Sequence, residues 1–214
     1  MKISTTAFRN GEPIPERYAF CKPGSKDPVV SKNPVAMSDN LNPKLQWTDA
    51  PGGTKTFVLL CVDPDVPSKP DDVNQADREV PTDLPRVDFF HWVMVDIPAS
   101  VTSIAEGACA DGITPHGKQS PAGPPGSRQG INNYTDWFAG DVDMEGNYFG
   151  YDGPCPPWND SIVHHYHFRL FATDLDRCPV DGAFTGAEVL DAIKGHVLAE
   201  TEIVGNYTLN PRLL

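Results

Sequence analysis

The chain has no apolar run long enough to cross a membrane, and its first twenty residues, MKISTTAFRNGEPIPERYAF, lack the apolar core of a secretion signal. A soluble, cytoplasmic protein is the expectation. Positive charge is scarce: 17 Lys and Arg stand against 29 Asp and Glu, a net charge of −12. That balance argues against nucleic acid or an anionic membrane as the main partner, since either would call for a basic face. A local basic pocket remains compatible with it. Internal repeats and linker-like stretches are missing too, so residues 1–214 should form one domain. The chain has no CxxC spacing, no HExxH pair and no nucleophilic serine motif. No metal, cofactor or catalytic residue is assigned on that basis. The five cysteines, Cys21, Cys61, Cys109, Cys155 and Cys178, are far apart and odd in number, and are expected to be reduced. Cys61, inside an apolar run, reads as a small core residue. Cys155 sits in a turn near histidines, which leaves a nucleophilic thiol open.

Against these absences stand 22 prolines and 18 glycines with a single convincing helical pattern, the composition of a mainly β protein with many turns. The stretch GSKDPVVSKNP reads as loop with an edge strand at most. A short strand is expected over residues 44–47. A strong strand over 56–62 is apolar on both faces and should be central and covered. It is expected to stop at Asp63-Pro64-Asp65, where proline ends the ladder. Parity puts Asp63 on the face of Phe57, Leu59 and Cys61, one step beyond a core face, which favours a pocket role. Asp65 reads equally well as a turn aspartate bonded to nearby amides.

Residues 68–87 are charged and proline-rich, a surface loop. The strand over 88–97 is again apolar on both faces, with Phe89, His91, Val93 and Val95 expected on one and Phe90, Trp92, Met94 and Asp96 on the other. Residues 101–150 form a long Gly/Pro/Ser/Asn-rich segment of the kind that walls a site. His116, Lys118 and Arg128 within it read as solvated loop residues. Near the C-terminus Thr185 and Glu188 form a capping box. The helix it opens should run to about residue 200 and pack on the sheet, with a final strand over 202–209.

The most informative stretch is residues 151–171, YDGPCPPWNDSIVHHYHFRLF, a tight Gly/Pro turn leading into a strand. Strict alternation puts His164, Tyr166, Phe168 and Leu170 on the inward face and His165, His167 and Arg169 outside. An inward face that begins with an imidazole and a phenol must find partners for them. Three apolar strands thus each contribute an ionisable group at or near a core position: Asp63, His91, and His164 with Tyr166. Together they suggest a shared pocket.

The motifs DPDVP, FFHWVMVDIP, YDGPCPP and HHYHF, in that order and each with a strand, resemble those of the phosphatidylethanolamine-binding protein family. The resemblance is closest to its bacterial and archaeal, Raf-kinase-inhibitor-like branch, and covers about residues 38–209. It implies a β-sandwich of two sheets with a helix in the C-terminal region, long loops and a small anion pocket at one end. The pocket residues it implies are Asp63, Asp65, His91, His164 and Tyr166, with the turn at Cys155 and Pro156 lending a backbone N–H to the anion. Such a site suits a phosphate, phosphoethanolamine-like or carboxylate head, and relatives suggest a possible protein partner. Cys155 stands where many relatives have glycine, and the 68–87 loop is longer than in the animal proteins. No counterpart of the animal family's C-terminal helix is evident, so kinase inhibition is not carried over. The competing class is a hydrolase of phosphate or acyl esters using Asp63, His91 and His164 as acid and base. A two-His, two-carboxylate metal site including Asp65 is a weaker alternative, and a protease inhibitor would need exposed loops that the sequence does not reveal.

Overall fold

A computed structural model describes residues 1–24 and 34–214. The loop read over residues 24–34 therefore lies largely outside the described residues. The strands are β1 (Lys2–Ser4), β2 (Cys21–Pro23), β3 (Val35–Met37), β4 (Leu45–Thr48), β5 (Thr56–Pro67), β6 (Arg86–Pro98), β7 (Ser103–Ile104), β8 (Arg128–Gln129), β9 (His164–Thr173) and β10 (Val197–Tyr207). Two short helices, α1 (Tyr134–Trp137) and α2 (Gly186–Ala192), complete the elements needed here.

The main sheet runs β10-β9-β5-β6-β8 with every neighbouring pair antiparallel. A smaller sheet, β1-β4-β7, faces it, and β2 pairs with β3 as a separate ribbon. Inward side chains of the main sheet, among them Phe57, Leu59, Trp92 and Phe168, meet Ile3, Leu45, Trp47 and Ile104 from the small sheet in one core. The outer face carries a second cluster, Val58, Leu60, Val93, Val95 and Phe171, covered by Val189 of α2 and by Ile193, which caps it. The central strands are apolar on both sides because both sides are covered. Cys61 is a core residue as expected, 1% exposed.

Bulges account for two departures from the sequence-based expectations. β5 does not end at Pro64 but continues to Pro67. Asp63 pairs with Phe89 and Val66 with Val87, so Pro64 and Asp65 together face one residue of β6. Proline's missing N–H costs nothing in that unpaired step. In β6 the register passes from Val62↔Phe90 to Cys61↔Trp92, leaving His91 as the extra residue. Parity flips there. His91 lies on the inner side with Trp92, while Phe90, Val93 and Val95 join the outer cluster.

The capping box forms as read, with Thr185 Oγ1 accepting from the Glu188 amide and the Glu188 carboxylate accepting from the Thr185 amide. The helix is shorter than expected. It ends at Ala192, Gly195 takes a left-handed φ of +80°, and Val197 and Leu198 begin β10. Their helical spacing is fortuitous: a β-branched residue just past a left-handed glycine pairs with Thr173 instead.

Candidate functional site

The floor of the site is a chain of charges. Asp63 ends the inward row of β5, and its Oδ2 lies 2.7 Å from His164 Nδ1 at the start of β9. The second ring nitrogen, Nε2, is 3.1 Å from Asp160 Oδ2. Arg86, at the start of β6, grips both oxygens of Asp160 at 2.6 and 3.1 Å. It also donates to the carbonyls of Asp65 and Pro81. A histidine with a carboxylate on each nitrogen must donate from both. Burial opposes that charge, but Asp63 and Asp160 overcome it and raise the His164 pKa to about 9. Burial likewise works against the Asp160 charge, yet His164 and Arg86 hold its pKa below the ordinary value. The ion chain is fixed and close to neutral overall.

His91 is the opposite case. Burial lowers its pKa to about 4, despite the pull of Asp63. Its Nδ1 lies 2.8 Å from the Asp152 carbonyl oxygen, which can only accept. The hydrogen therefore sits on Nδ1, and Nε2 presents a lone pair. The Asp152 amide donates back to the His91 carbonyl at 3.0 Å, so the bulge and the 152–157 turn hold each other. The Asp152 carboxylate is itself buried, bonded to Asn40, Asn132 and Lys118 at 2.8, 2.8 and 2.6 Å. Burial pushes its pKa up, and Lys118 pulls the other way. Lys118 is thus not the solvated loop residue expected from sequence but an internal counter-ion. Arg128 likewise pairs with Asp96 at 2.6 Å.

Tyr166 is fully buried beside His91, their ring centroids 5.1 Å apart. Burial, with Asp63 nearby, keeps its phenol protonated far above the ordinary pKa. Its hydroxyl lies beside the Asp63 carboxylate, but among the described residues it meets no partner in hydrogen-bonding geometry. A buried hydroxyl without a partner costs stability, and it leaves a donor facing the cavity.

The third wall is the turn of residues 153–157. Gly153 is required there, because a Cβ would collide with the Tyr18 carbonyl oxygen. The Pro154 carbonyl accepts from the amides of Phe20 and Cys21 at 2.9 and 3.1 Å. Cys155 is bonded to Cys21 through a disulfide, which overturns the expectation of five reduced thiols. Both cysteines sit where the Pro154 clamp has already aligned the two segments. The remaining three, Cys61, Cys109 and Cys178, are free and buried. Cys155 thus offers no thiol, but in Pro154-Cys155-Pro156-Pro157 it supplies the one backbone N–H. Among the described residues that N–H has no acceptor within the chain.

These elements enclose a cavity of about 340 Å³. Of the residues singled out from sequence, Asp63, His91, Cys155, Pro156, His164 and Tyr166 line it. Asp65 does not. Its carboxylate turns to the outer side, where Oδ2 accepts from the amide and Nδ1 of His165 at 2.9 and 2.8 Å. The bulge at Pro64 produces that turn-out, and it also dissolves the imagined metal arrangement, since His164 has no free nitrogen and Asp65 points away. Residues 66–74, most of them read from sequence as surface loop, and the short α1, inside the segment read as one that walls a site, supply further walls. Tyr134 stacks between Phe20 and Phe138, with centroids at 4.6 and 5.6 Å, and donates to the Gly153 carbonyl at 2.8 Å.

Two facing sheets closed at one end by a polar cavity define a β-sandwich with an end-on cavity. The chain belongs to the phosphatidylethanolamine-binding protein family, whose model matches residues 4–208, and to its bacterial and archaeal branch. A UPF0098 protein of Methanothermobacter thermautotrophicus is 33% identical over 209 residues, spanning 97% of this chain and 98% of its own. The UPF0098 protein YbhB of Escherichia coli is 29% identical over 208 residues, spanning 97% and 100%. The crystal structure of Escherichia coli YbcL, described as a new member of the mammalian PEBP family, superposes with a TM-score of 0.68 at 26% identity and covers 97% of each chain.

Proposed function

We propose that this single-domain protein binds the anionic head of a small ligand, phosphate, phosphoethanolamine-like or carboxylate, on the floor of the cavity. The observation that carries this reading is the set of polar groups that the fold leaves unspent on one wall. They are the Tyr166 hydroxyl, the Cys155 N–H and His91 Nε2. An anion accepts from the hydroxyl and the N–H, and a proton arriving with it bridges its oxygen to the lone pair of His91 Nε2. The nearby Asp63 charge is already answered by the His164 imidazolium, so it need not repel the ligand.

Because His91 is neutral at pH 7, the bound pair needs one proton between Nε2 and the anion, brought by the phosphate monoanion or taken from solution when the dianion binds. The affinity for inorganic phosphate should then fall about tenfold per pH unit above pH 7. Calorimetric titration with inorganic phosphate checks this. The wild type should saturate, and His91→Ala should weaken binding by about a hundredfold or more. Equal affinity in the two proteins would remove His91 from the site.

The hydrolase reading has less support. His164 is fixed by two carboxylates, Asp63 is bonded to it, and the one thiol candidate in the wall is a disulfide. The Cys21–Cys155 bridge also favours an oxidising compartment over the cytoplasmic expectation.

A further inference from the structure

The cavity is too large for the head group alone. At about 340 Å³ it falls in the range of sites for whole small molecules, about 300–1,000 Å³, whereas an inorganic phosphate displaces only a few waters of about 30 Å³ each. Burial separates its two ends. His91, His164 and Tyr166 are buried and form the floor, while Trp137 and Val87, 47% and 48% exposed, stand at the mouth. Most of the remaining lining is apolar, with Pro67, Pro70 and Val73 from the 66–74 segment and Phe89 from β6, beside the polar Ser68, Asn74 and Asn133.

The wall of the 66–74 segment is built rather than loose. Asn159 is buried, and its Nδ2 donates to the carbonyls of Asp72, Gln75 and Arg78 at 2.8, 3.1 and 2.9 Å. Its Oδ1 accepts from the Asn74 amide at 2.8 Å, and Asn74 in turn accepts from the Trp158 amide at 3.1 Å. Asn74 holds a left-handed φ of 58°, which asparagine tolerates better than most residues. One side chain thus fastens residues 72–78 to the segment that follows Pro157, tying two walls of the cavity together. Charge at the mouth is the other constraint. Asp88 and Asp136 line it with Lys69, two carboxylates against one ammonium, so a second anionic group on the ligand would be opposed.

We propose that the ligand is an organic anion with a single negative head and a compact apolar body, an aryl or alkyl phosphomonoester or carboxylate. The head lies on the His91 floor and the body lies against Pro70, Val73, Phe89 and Trp137. This rests on the anion-binding reading and goes beyond it in naming the ligand class. It assigns Trp137 as a specificity residue and Asn159 as a positioning residue that preforms the 66–74 wall. Multiply charged phosphates are excluded by the mouth.

The test is calorimetric titration with two pairs, inorganic phosphate against phenyl phosphate and acetate against benzoate, which also separates the two kinds of head. In at least one pair the aromatic member should bind about tenfold tighter or more. 4-Carboxyphenyl phosphate should lose most of any phenyl phosphate advantage. Trp137→Ala, an exposed substitution that leaves the core intact, should shrink the gap to about threefold by weakening only the aromatic member. Asn159→Ala should do the same, and if it fails to fold, Trp137→Ala decides alone. Simple anions that bind as tightly as their aromatic partners would overturn the proposal while leaving the anion site standing. No binding by any of the four would overturn both.

Discussion

Folding stability is expected to peak near pH 6.5 and to fall on both sides, by an amount on the order of 3 kcal/mol for each of two histidines. On the acid side the cause is His91, whose pKa burial lowers to about 4. As pH falls below about 6.5 the unfolded chain takes up a proton at this position that the folded chain refuses until about pH 4. Its contribution is therefore complete above pH 6.5 and lost between 6.5 and 4. On the alkaline side the cause is His164, raised to about 9 by Asp63 and Asp160 against the opposing effect of burial. The folded chain keeps a proton that the unfolded chain releases above about pH 6.5. That contribution is complete below pH 6.5 and is lost as pH rises through 9. Urea unfolding at intervals from pH 4 to 9 should trace the peak, and His91→Asn should flatten its acid limb between 6.5 and 5. A wild-type curve flat from pH 5 to 8 would mean that neither imidazole is held as described.

Loss of the Cys21–Cys155 bridge should cost about 2–5 kcal/mol. The bridge spans a sequence separation of 134 residues, so it removes much of the unfolded chain's freedom, and entropy of that kind grows only slowly with loop length. The native state has little reason to rearrange, because the Pro154 carbonyl still holds the Phe20 and Cys21 amides. Urea midpoints of the Cys21→Ser/Cys155→Ser double variant beside the wild type measure the cost. A direct chemical check is alkylation of the denatured, unreduced chain, which should modify Cys61, Cys109 and Cys178 alone. Modification of all five cysteines would show that the bridge does not form.

Much of the cavity lining could be read from strand parity, and the departures came where parity breaks. His164, Tyr166 and Asp63 fall on inward faces because β9 and the first part of β5 are regular. His91 reached the cavity for a reason the alternation could not supply, since it is the extra residue of a bulge and Val93 and Val95 face the other way. Asp65 was lost to the bulge at Pro64. Asp152 and Asp160 lie in irregular backbone with no period to mark them, and their burial is meaningful only once Lys118 and Arg86, distant in sequence, are beside them. The only local hint was Asp160 itself, four residues before a histidine already singled out. Disulfide pairing between far-apart cysteines has no signature in spacing. The long segments became walls of the cavity through Asn159 and Tyr134, whose roles depend on backbone groups that sequence does not display.

The most direct measurement is the state of the His91 ring, followed by NMR of its nitrogens while inorganic phosphate is titrated at pH 7. The account predicts a saturable change in which Nε2 gains a proton as the site fills, with His164 doubly protonated before and after. A His91 ring that stays neutral with Nε2 untouched as phosphate reaches saturation, or a protein that takes up no phosphate at all, would contradict it.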